Sequence, residues 1–333
     1  MSALHTSSGR NAERAHGFDR TGAVRRDLHP RERNILDQKH IAVFVNPAST
    51  NAQADLDAGF ALLREAGFSL SMETVDDPAN LADAIREHPA EIVMVGGGDG
   101  TTSCAAGVLA NTDRVLAVLP LGNACDFARS LGIPRDPLEA CRVVVEGRIH
   151  AVDVARVNGH TYLNMASLGL SVDVARRMSG EFKRRWGVFG YPKLLWDAAR
   201  AARSFHVTID CDGNTVERRV IQIGVGNGYH YGGGMTVADD ARLDDGLLHV
   251  HAIHPLPWWQ LLLLFPYLWA GRVREPERVI AMTGAKVKVT THHERTVNAD
   301  GEMANKTPAT FEVDPGALKV CIPAEGPIPG LGV

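Results

Sequence analysis

A run of glycines between a short apolar segment and a helical segment constrains this chain most. Residues 91–109 read EIVMVGGGDGTTSCAAGVL, which predicts a strand, a loop almost without side chains, and a helix. Glycines after a strand let backbone N–H groups approach an anion, and the helix adds the positive end of its dipole. The stretch therefore predicts a phosphate-binding loop. The alternative is a tight strand-to-helix turn capped by Asp99.

The loop matches neither of two common phosphate motifs. No Gly-Lys-Ser/Thr follows it, which excludes the P-loop pattern, and Thr101 stands where the last glycine of the dinucleotide fingerprint belongs. The loop also keeps one acidic residue, Asp99. A carboxylate beside a phosphate site requires a metal ion or a donor hydroxyl between the two.

The periodicity of apolar residues changes along the chain. Up to about residue 147, apolar runs such as HIAVFV, EIVMV and VLAVLP alternate with segments of helical spacing, which predicts an α/β domain with a doubly wound, mostly parallel sheet. The later segments are short, rich in Val, Ile and Thr, and separated by Gly, Asn and Asp. They predict a larger antiparallel β-sandwich or barrel, with the functional cleft between the two domains.

The same patterns predict the domain limits. The first residues are polar, of mixed charge and poor in large apolar side chains, so we expect a disordered tail there and no signal peptide. We expect this tail over 1–38, an α/β nucleotide-binding domain over 39–150, a β-rich substrate and catalytic domain over 151–321, and a tail over 322–333 that returns to the first domain.

Composition excludes several classes of protein. The net charge is -4 and the pI is near 6.4, so we expect no nucleic-acid partner. The five cysteines are an odd number without a CxxC pair, which indicates a reducing, cytoplasmic compartment rather than a disulfide framework or a zinc site. The most apolar stretch, residues 255–271, is shorter than the roughly 20 residues of a membrane span and contains Pro266. We expect no transmembrane span.

Four segments, taken in order, resemble one known family. They are GGGDGT at 96–101, PLGNACDFARSLGIP at 120–134, GVGNGYHYGGGMTVADDARLDDGLLHV at 224–250, and VNADGE at 297–302. Together they are similar to the diacylglycerol kinase catalytic family, which includes sphingosine kinases and bacterial soluble lipid kinases. The glycine loop alone is also similar to loops of NAD kinases and phosphofructokinases. The resemblance extends from about residue 40 to about residue 325.

The resemblance implies a fold like that of NAD kinase and phosphofructokinase, and the function of an ATP- and Mg²⁺-dependent lipid kinase. Its acceptor would be a diacylglycerol, a sphingoid base or a related lipid, met transiently at the membrane surface. The resemblance implies nucleotide contacts from Asn46, Thr74, Gly97, Gly98, Asp99, Gly100, Thr101, Thr102 and Asn123. It also implies that Asp99 organises Mg²⁺ at the phosphates, and that Asp300 and Glu302 match the base for the acceptor hydroxyl.

A second metal position is implied in the β-rich domain. There Asp245 would supply its carboxylate, and Arg242 and Leu247 would supply backbone carbonyls; oxygen ligands of this kind suit Mg²⁺ or Ca²⁺. The alternative for this LDDG stretch is a turn. Likewise, Asp300-Gly301 alone is a strong signal for a hairpin turn.

The chain departs from the family's pattern at several positions. No lysine follows Asn46-Pro47, Asn123 and Cys125 replace the Thr and Asn of the family's G-T-x-N-D, and Ser103-Cys104 follow the glycine loop where the family often has Asn-Glu. Two other functions therefore stay open: a kinase of a soluble substrate, as NAD kinase is, and a nucleotide-binding protein without turnover. The CDFARSLGIP segment favours a lipid kinase over the first, and the retained acids favour turnover.

Two further segments bear on a membrane surface. Residues 255–271 contain five aromatic side chains, Trp258, Trp259, Phe265, Tyr267 and Trp269. Residues 181–193 combine basic with aromatic residues. Both compositions suit a lipid interface. The alternatives are a helix packed on the β-rich domain for the first segment, which we favour, and an ordinary solvated charged face for the second. The oligomeric state is open, with a homodimer as one option.

Overall fold

The computed structural model describes residues 40–46, 49, 56–73, 78–177, 203–231, 235–236, 241–257, 259–260, 279–326 and 328–331. Several predicted features lie outside these ranges: the tail over 1–38, Thr74, the basic segment over 181–193, and most of the aromatic segment over 255–271. Within them, no helix is long and apolar enough to cross a bilayer.

The first lobe is a parallel sheet with helices on it. Its strands are β1 (His40–Val45), β2 (Ser69–Glu73), β3 (Ile92–Gly97) and β4 (Val115–Pro120). Its helices are α1 (Asp57–Glu65), α2 (Leu81–Glu87), α3 (Asp99–Leu109), α4 (Asp126–Ser130) and α5 (Pro137–Glu146). The strands lie in the order β2-β1-β3-β4, all parallel. Both β3 and β4 are buried along their whole length, as expected when helices cover both faces of a sheet.

The second lobe consists mainly of antiparallel strands. They are β5 (Arg148–Val157), β6 (His160–Tyr162), β7 (Met165–Gly169), β8 (Phe205–Cys211), β9 (Asn214–Val220), β10 (Gln222–Gly226), β11 (His230–Tyr231), β12 (Met235–Thr236), β13 (Leu248–Ile253), β14 (Val279–Gly284), β15 (Lys286–Thr291), β16 (Thr296–Ala299), β17 (Glu302–Lys306) and β18 (Ala309–Ile322), and one helix, α6 (Leu170–Arg177), follows β7. Six of these strands form a sheet in the order β14-β13-β10-β7-β16-β17.

That six-stranded sheet packs face to face on β8, β15 and the adjoining parts of β5 and β18. The side chains between the two sheets form one buried core, which includes Leu168, Val207, Val250, Val289 and Phe311. Strand β15 shows the alternation of exposed and buried residues that a one-sided core requires. The predicted fold, an α/β domain followed by an antiparallel β-sandwich, is confirmed.

The two lobes share one continuous sheet, which the sequence did not indicate. Strand β18 pairs parallel with β4 near Lys319 and antiparallel with β15 near Val287. A single sheet of ten strands therefore extends through both lobes. The cores divide within β5 and β18. Residues of β5 up to Val154 belong to the first core, and those from Ala155 belong to the second. This shared sheet fixes the lobes relative to each other and holds the cleft between them.

The chain beyond β18 lies on the first lobe. Ile328 and Leu331 are buried in the core of that lobe, and the Gly330 N–H donates to the Ser130 carbonyl oxygen at 2.8 Å. The Leu243 N–H in turn donates to the Gly330 carbonyl oxygen at 2.7 Å. This segment therefore connects α4 with the loop before β13.

Candidate active site

The glycine loop forms the sharp connection between β3 and α3. A Cβ atom on Gly97 would lie 2.5 Å from the hydroxyl oxygen of Thr101, and one on Gly122 would lie 2.4 Å from the Cα of Gly98. The loops that follow β3 and β4 therefore touch through their backbones, and neither position has space for a side chain. The first N–H groups of a helix have no partner within it. At α3 these groups are the ones available to an anion.

Not every residue of the loop faces the cleft. Thr102 is 3% exposed, and its hydroxyl donates to the Gly98 carbonyl oxygen at 3.0 Å. This buried side chain therefore stabilises the loop and does not face the cleft. Thr101 faces the cavity, and its hydroxyl accepts a 3.2 Å hydrogen bond from the Nδ2 of Asn46. Asn46 and Thr101 thus connect the ends of β1 and β3.

Asp99 begins α3 and is held by two donors on a single oxygen. Its Oδ1 accepts from the Phe127 N–H at the start of α4 and from the Nδ2 of Asn164, each at 3.1 Å. Among the described residues, Oδ2 accepts no hydrogen bond. The carboxylate is thereby oriented, and one of its oxygens is left for a ligand.

The DGE motif is a hairpin turn and also part of the cavity wall. Asp300 and Gly301 have positive φ, 47° and 96°, between the paired residues Ala299 and Glu302. Two central residues of positive φ are the geometry of a type I′ hairpin. The expectation of a turn and the expectation of a functional site therefore apply to the same residues, because the turn projects both carboxylates toward α3.

The carboxylate of Asp300 is turned inward and saturated with donors. It accepts the N–H groups of Leu163 (2.7 Å), Asn164 (3.1 Å) and Met165 (3.1 Å) and the hydroxyl of Ser103 (2.6 Å). Burial, with a smaller contribution from the nearby charge of Asp99, raises the pKa of Asp300 to about 6 although these hydrogen bonds lower it. Asp300 therefore ties the hairpin to α3 and to the start of β7.

The burial of Asp300 leads to a prediction of how the free energy of unfolding depends on pH. Because its pKa is raised from 3.8 to about 6 in the folded protein, the folded state binds more protons than the unfolded state between these values. The contribution of Asp300 to the free energy of unfolding therefore falls as pH rises from about 4 to about 6. Denaturant unfolding of the wild type and of Asp300→Asn, compared at each pH, isolates this contribution. A difference that instead grows over this interval would contradict the assignment.

Glu302 is the carboxylate left open in the cleft. A Cβ atom on Gly100 would lie 3.0 Å from its Oε1, so the carboxylate stands directly over the first turn of α3. It accepts no hydrogen bond from the described residues, and its charge contributes to the raised pKa of the Cys104 thiol, after the larger effect of burial. Of the two acids in the motif, Glu302 has an oxygen free to accept a proton from a bound hydroxyl.

Several of these groups line a cavity of about 790 Å³ between the lobes, whereas Gly97, Asp99 and Thr102 are not part of its lining. Of the predicted nucleotide contacts, Asn46, Gly98, Gly100 and Thr101 line it, as do Asp300 and Glu302 from the second lobe. Asn123 is exposed and is not part of the lining; its carbonyl oxygen accepts a 2.7 Å hydrogen bond from Arg135.

The predicted second metal position lies apart from this cavity. The carboxylate of Asp245 accepts the N–H groups of Arg242 (3.2 Å) and Leu247 (2.9 Å), and its Oδ2 lies 3.1 Å from the Nε2 of His249. Both carboxylate oxygens of Asp245 are thus hydrogen-bonded to nitrogen atoms. These residues do not fit a cation unless those hydrogen bonds are broken. The described residues also contain no group of three or more acidic, histidine or cysteine side chains suited to a metal. The site stays a prediction, and no chemical step is assigned to it.

Ser103 and Asn164 are the site residues that the sequence analysis missed in these roles. Ser103 was noted only as a departure from the family's pattern, and the structure shows it donating to Asp300 across the cleft. The one signal for Ser103 was helical spacing, since residues 99, 100 and 103 lie on neighbouring faces of one helix. No local pattern relates Asn164 to Asp99, because the contact spans 65 positions.

Comparison with known proteins identifies the class of this fold and cleft. Residues 40–157 match the diacylglycerol kinase catalytic domain, and residues 164–322 match the YegS C-terminal NAD kinase beta sandwich-like domain. The chain superposes on a crystal structure of a diacylglycerol kinase from Bacillus anthracis with a TM-score of 0.72, at 25% identity, covering 86% of this chain and 97% of that one. The chain is a two-lobed kinase.

Relatives of known sequence specify the family further. The chain is 34% identical over 284 residues to a protein named probable lipid kinase YegS-like from Pseudomonas aeruginosa, with 82% of this chain and 91% of the relative covered. It is 30% identical to the protein of the same name from Cronobacter sakazakii, with 80% and 91% covered. It belongs to the diacylglycerol kinase catalytic family, among its YegS-like members.

Proposed function

We propose that this kinase transfers the γ-phosphate of ATP to a hydroxyl group of a lipid such as a diacylglycerol, a sphingoid base or a related amphiphile. The observation that carries the proposal is the position of Glu302, a carboxylate that lies over the first turn of α3 and accepts no hydrogen bond from the residues that the structure describes. Phosphoryl transfer requires chiefly positioning, charge neutralisation and a group that accepts the proton of the hydroxyl. The cleft supplies a residue for each requirement.

The nucleotide phosphates bind the N-terminal end of α3. The backbone N–H groups of Gly98, Gly100 and Thr101 and the positive end of this eleven-residue helix favour an anion there. The amide of Asn46 lies at the same edge, hydrogen-bonded to Thr101. No lysine follows Asn46-Pro47, so the glycine loop itself offers backbone dipoles and neutral side chains to the phosphates, while Arg86 of α2 lines the same cavity.

The residues of the cleft fit a magnesium ion carried with the nucleotide. Asp99 presents an oxygen that accepts no hydrogen bond from the described residues, and Mg²⁺ prefers carboxylate oxygens of this kind. When bound, the ion neutralises charge on the phosphates. Asp99 holds its orientation through Phe127 and Asn164, and Glu302 takes the proton from the acceptor hydroxyl.

The acceptor occupies the part of the cavity beyond the phosphate loop. There the wall is formed by the second and third turns of α3, including Gly107 and Val108, by Leu81 of α2, and by Thr161 of β6. This lining combines apolar side chains with Arg86 and His160, and Glu302, which lies next to Gly100, lines the same cavity.

A lipid acceptor is supported by two observations. Two relatives of 34% identity carry the name probable lipid kinase YegS-like, and in the aromatic segment Trp259 is 49% exposed. Tryptophan suits the boundary between water and a bilayer. We therefore place the reaction at the membrane surface, with the polar part of the lipid in the cleft.

The experiment is a transfer assay with γ-labelled ATP, Mg²⁺ and a total lipid extract, followed by identification of the labelled product. We expect label in a lipid band. Label in NADP after addition of NAD would indicate a soluble acceptor. Measurable ATP binding without transfer to any acceptor would indicate a binding protein, and either result would overturn the proposal.

The contact between Gly100 and Glu302 leads to a prediction about activity without loss of stability. In Gly100→Ala the new methyl group lies 3.0 Å from Oε1, so the flexible carboxylate moves aside while the helix gains up to about 1 kcal/mol of propensity. We expect an unchanged or higher melting temperature and a kcat lower by about tenfold, since small displacements of reacting groups are costly. Adding Gly100→Ala to Glu302→Gln will cause little further loss if the effect acts through Glu302. A kcat equal to that of the wild type would contradict this contact.

A further inference from the structure

Asn164 joins the two acidic motifs at the boundary between the lobes. It is 3% exposed, and its side-chain Nδ2 donates to the Oδ1 of Asp99 at 3.1 Å. Its own backbone N–H donates to the carboxylate of Asp300 at 3.1 Å. One residue of the second lobe thus contacts the acid of the glycine loop with its side chain and the acid of the hairpin with its backbone.

The segment that carries Asn164 is itself fixed. The carbonyl oxygen of Asn164 accepts the N–H groups of Asn227 and Gly228 at 2.9 and 3.1 Å. The buried side chain of Asn227 donates to the carbonyl oxygen of Leu163 at 3.0 Å. These bonds anchor the start of β7 to the end of β10, so the amide of Asn164 approaches Asp99 from a rigid support.

The amide helps to determine which oxygen of Asp99 is held by protein donors. Both donors to Asp99, the Phe127 N–H and the Nδ2 of Asn164, bind the same oxygen. Removing one donor leaves a single hydrogen bond, about which the carboxylate can rotate. The hydrogen bonds that hold the carboxylate of Asp300 would remain, because Asn164 donates to it with its backbone N–H and not with its side chain.

We propose that Asn164 is a positioning residue for phosphoryl transfer. Its side chain orients the carboxylate of Asp99 toward the metal-bound phosphates and fixes the position of that carboxylate relative to Glu302. Through Asp300, the same segment sets the distance between the hairpin and α3. The proposal rests on the proposed function for its reaction. It goes beyond that function in assigning a second-lobe amide to the alignment of a first-lobe acid.

The test uses two substitutions in the full-length chain. Asn164→Ala removes the donor, and Asn164→Asp keeps the shape but places a second carboxylate against Asp99. Outer contacts of this kind change metal affinity or activity by about 10–100-fold when removed. We expect kcat to fall within this range in both variants, and the Mg²⁺ concentration for half-maximal rate to rise by about tenfold. The Asp variant will also shift the acid limb of the pH–rate profile to higher pH, since a neighbouring negative charge disfavours a second one.

A binding measurement makes the test independent of turnover. Mn²⁺ affinity in the presence of a non-hydrolysable ATP analogue, followed by the paramagnetic resonance signal of free Mn²⁺, will weaken by about tenfold in both variants. Gln222→Ala is the control, because Gln222 also makes side-chain hydrogen bonds in the second lobe, to Ser171 and Ile223, and these partly buried bonds involve neither Asp99 nor Asp300. We expect its Mn²⁺ affinity and pH profile to match those of the wild type.

Several outcomes would overturn the proposal. A lowered melting temperature with unchanged Mg²⁺ requirement, Mn²⁺ affinity and pH profile would show that Asn164 is merely structural. If the Asp variant does not fold, Asn164→Ser takes its place, and the same three readouts decide. Wild-type protein that binds Mn²⁺ and nucleotide but transfers no phosphate would refute the proposed function. In that case unchanged Mn²⁺ affinity in the variants would overturn this inference separately.

Discussion

Glutamine in place of Glu302 will lower kcat by about 10²–10⁴-fold, the range that a positioned general base contributes. The side chain keeps its size and its place over Gly100, but it can no longer accept the proton of the acceptor hydroxyl. Since Glu302 makes no hydrogen bond to the described residues, its replacement removes no stabilising contact. We therefore expect the melting temperature and the affinity for nucleotide to stay near those of the wild type.

Single-turnover transfer from ATP to the lipid acceptor measures this effect without interference from product release. Glu217→Gln is the matched control, because Glu217 is an exposed glutamate on β9 of the same lobe. A Glu302→Gln variant with a rate within threefold of the wild type would remove Glu302 from the mechanism. The proton would then have to go to solvent or to a phosphate oxygen.

Asparagine in place of Asp99 will have the second large effect. The substitution keeps the shape of the side chain and its bond from the Phe127 N–H, but it removes the negative charge at the phosphate loop. We expect kcat/KM for ATP to fall by about 10²–10³-fold, as when one preorganised electrostatic group is removed from a site. The Mg²⁺ requirement will rise as well, because one anionic oxygen is lost.

Asp136→Asn is a suitable control for Asp99→Asn. Asp136 is also an acidic residue at the start of a helix, where its side chain accepts the Glu139 N–H at 3.0 Å, but it lies at α5, away from the glycine loop. Steady-state rates at varied ATP and Mg²⁺ will separate the two variants. The cap that the sequence left open is not formed, since Gly98 is the N-cap of α3 and no side chain caps it; equal behaviour of the two variants would show that Asp99 has no part in binding ATP or the ion.

The fold could be predicted from the sequence because its signals are local. Up to about Gly147 the spacing of apolar residues indicates strands alternating with helices, and after it the spacing indicates mainly strands. The boundary between the lobes lies near this change. The path of β18 could not be predicted in this way. Its pairing with β4 joins Lys319 to Val115, and nothing in either segment specifies a partner so distant in the chain.

The candidate site could be predicted in part for the same reason. The glycine loop and the DGE turn are short motifs with their own backbone requirements, so each could be placed without the other. The difference between Asp300 and Glu302 could not be seen in the sequence, because it depends on the N–H groups of residues 163–165, which reach Asp300 only in the folded chain. Thr101 and Thr102 likewise differ only by the face of α3 on which each lies.

Amide hydrogen exchange tests the central claim most directly, because the claim concerns backbone N–H groups. With saturating Mg²⁺ and a non-hydrolysable ATP analogue, exchange will slow at residues 98–101, whose amides lie at the open end of α3. It will change little at the surface strand β9, residues 214–220. Unaltered exchange at 98–101, with the analogue bound at saturation, would contradict the assignment of this loop as the phosphate site.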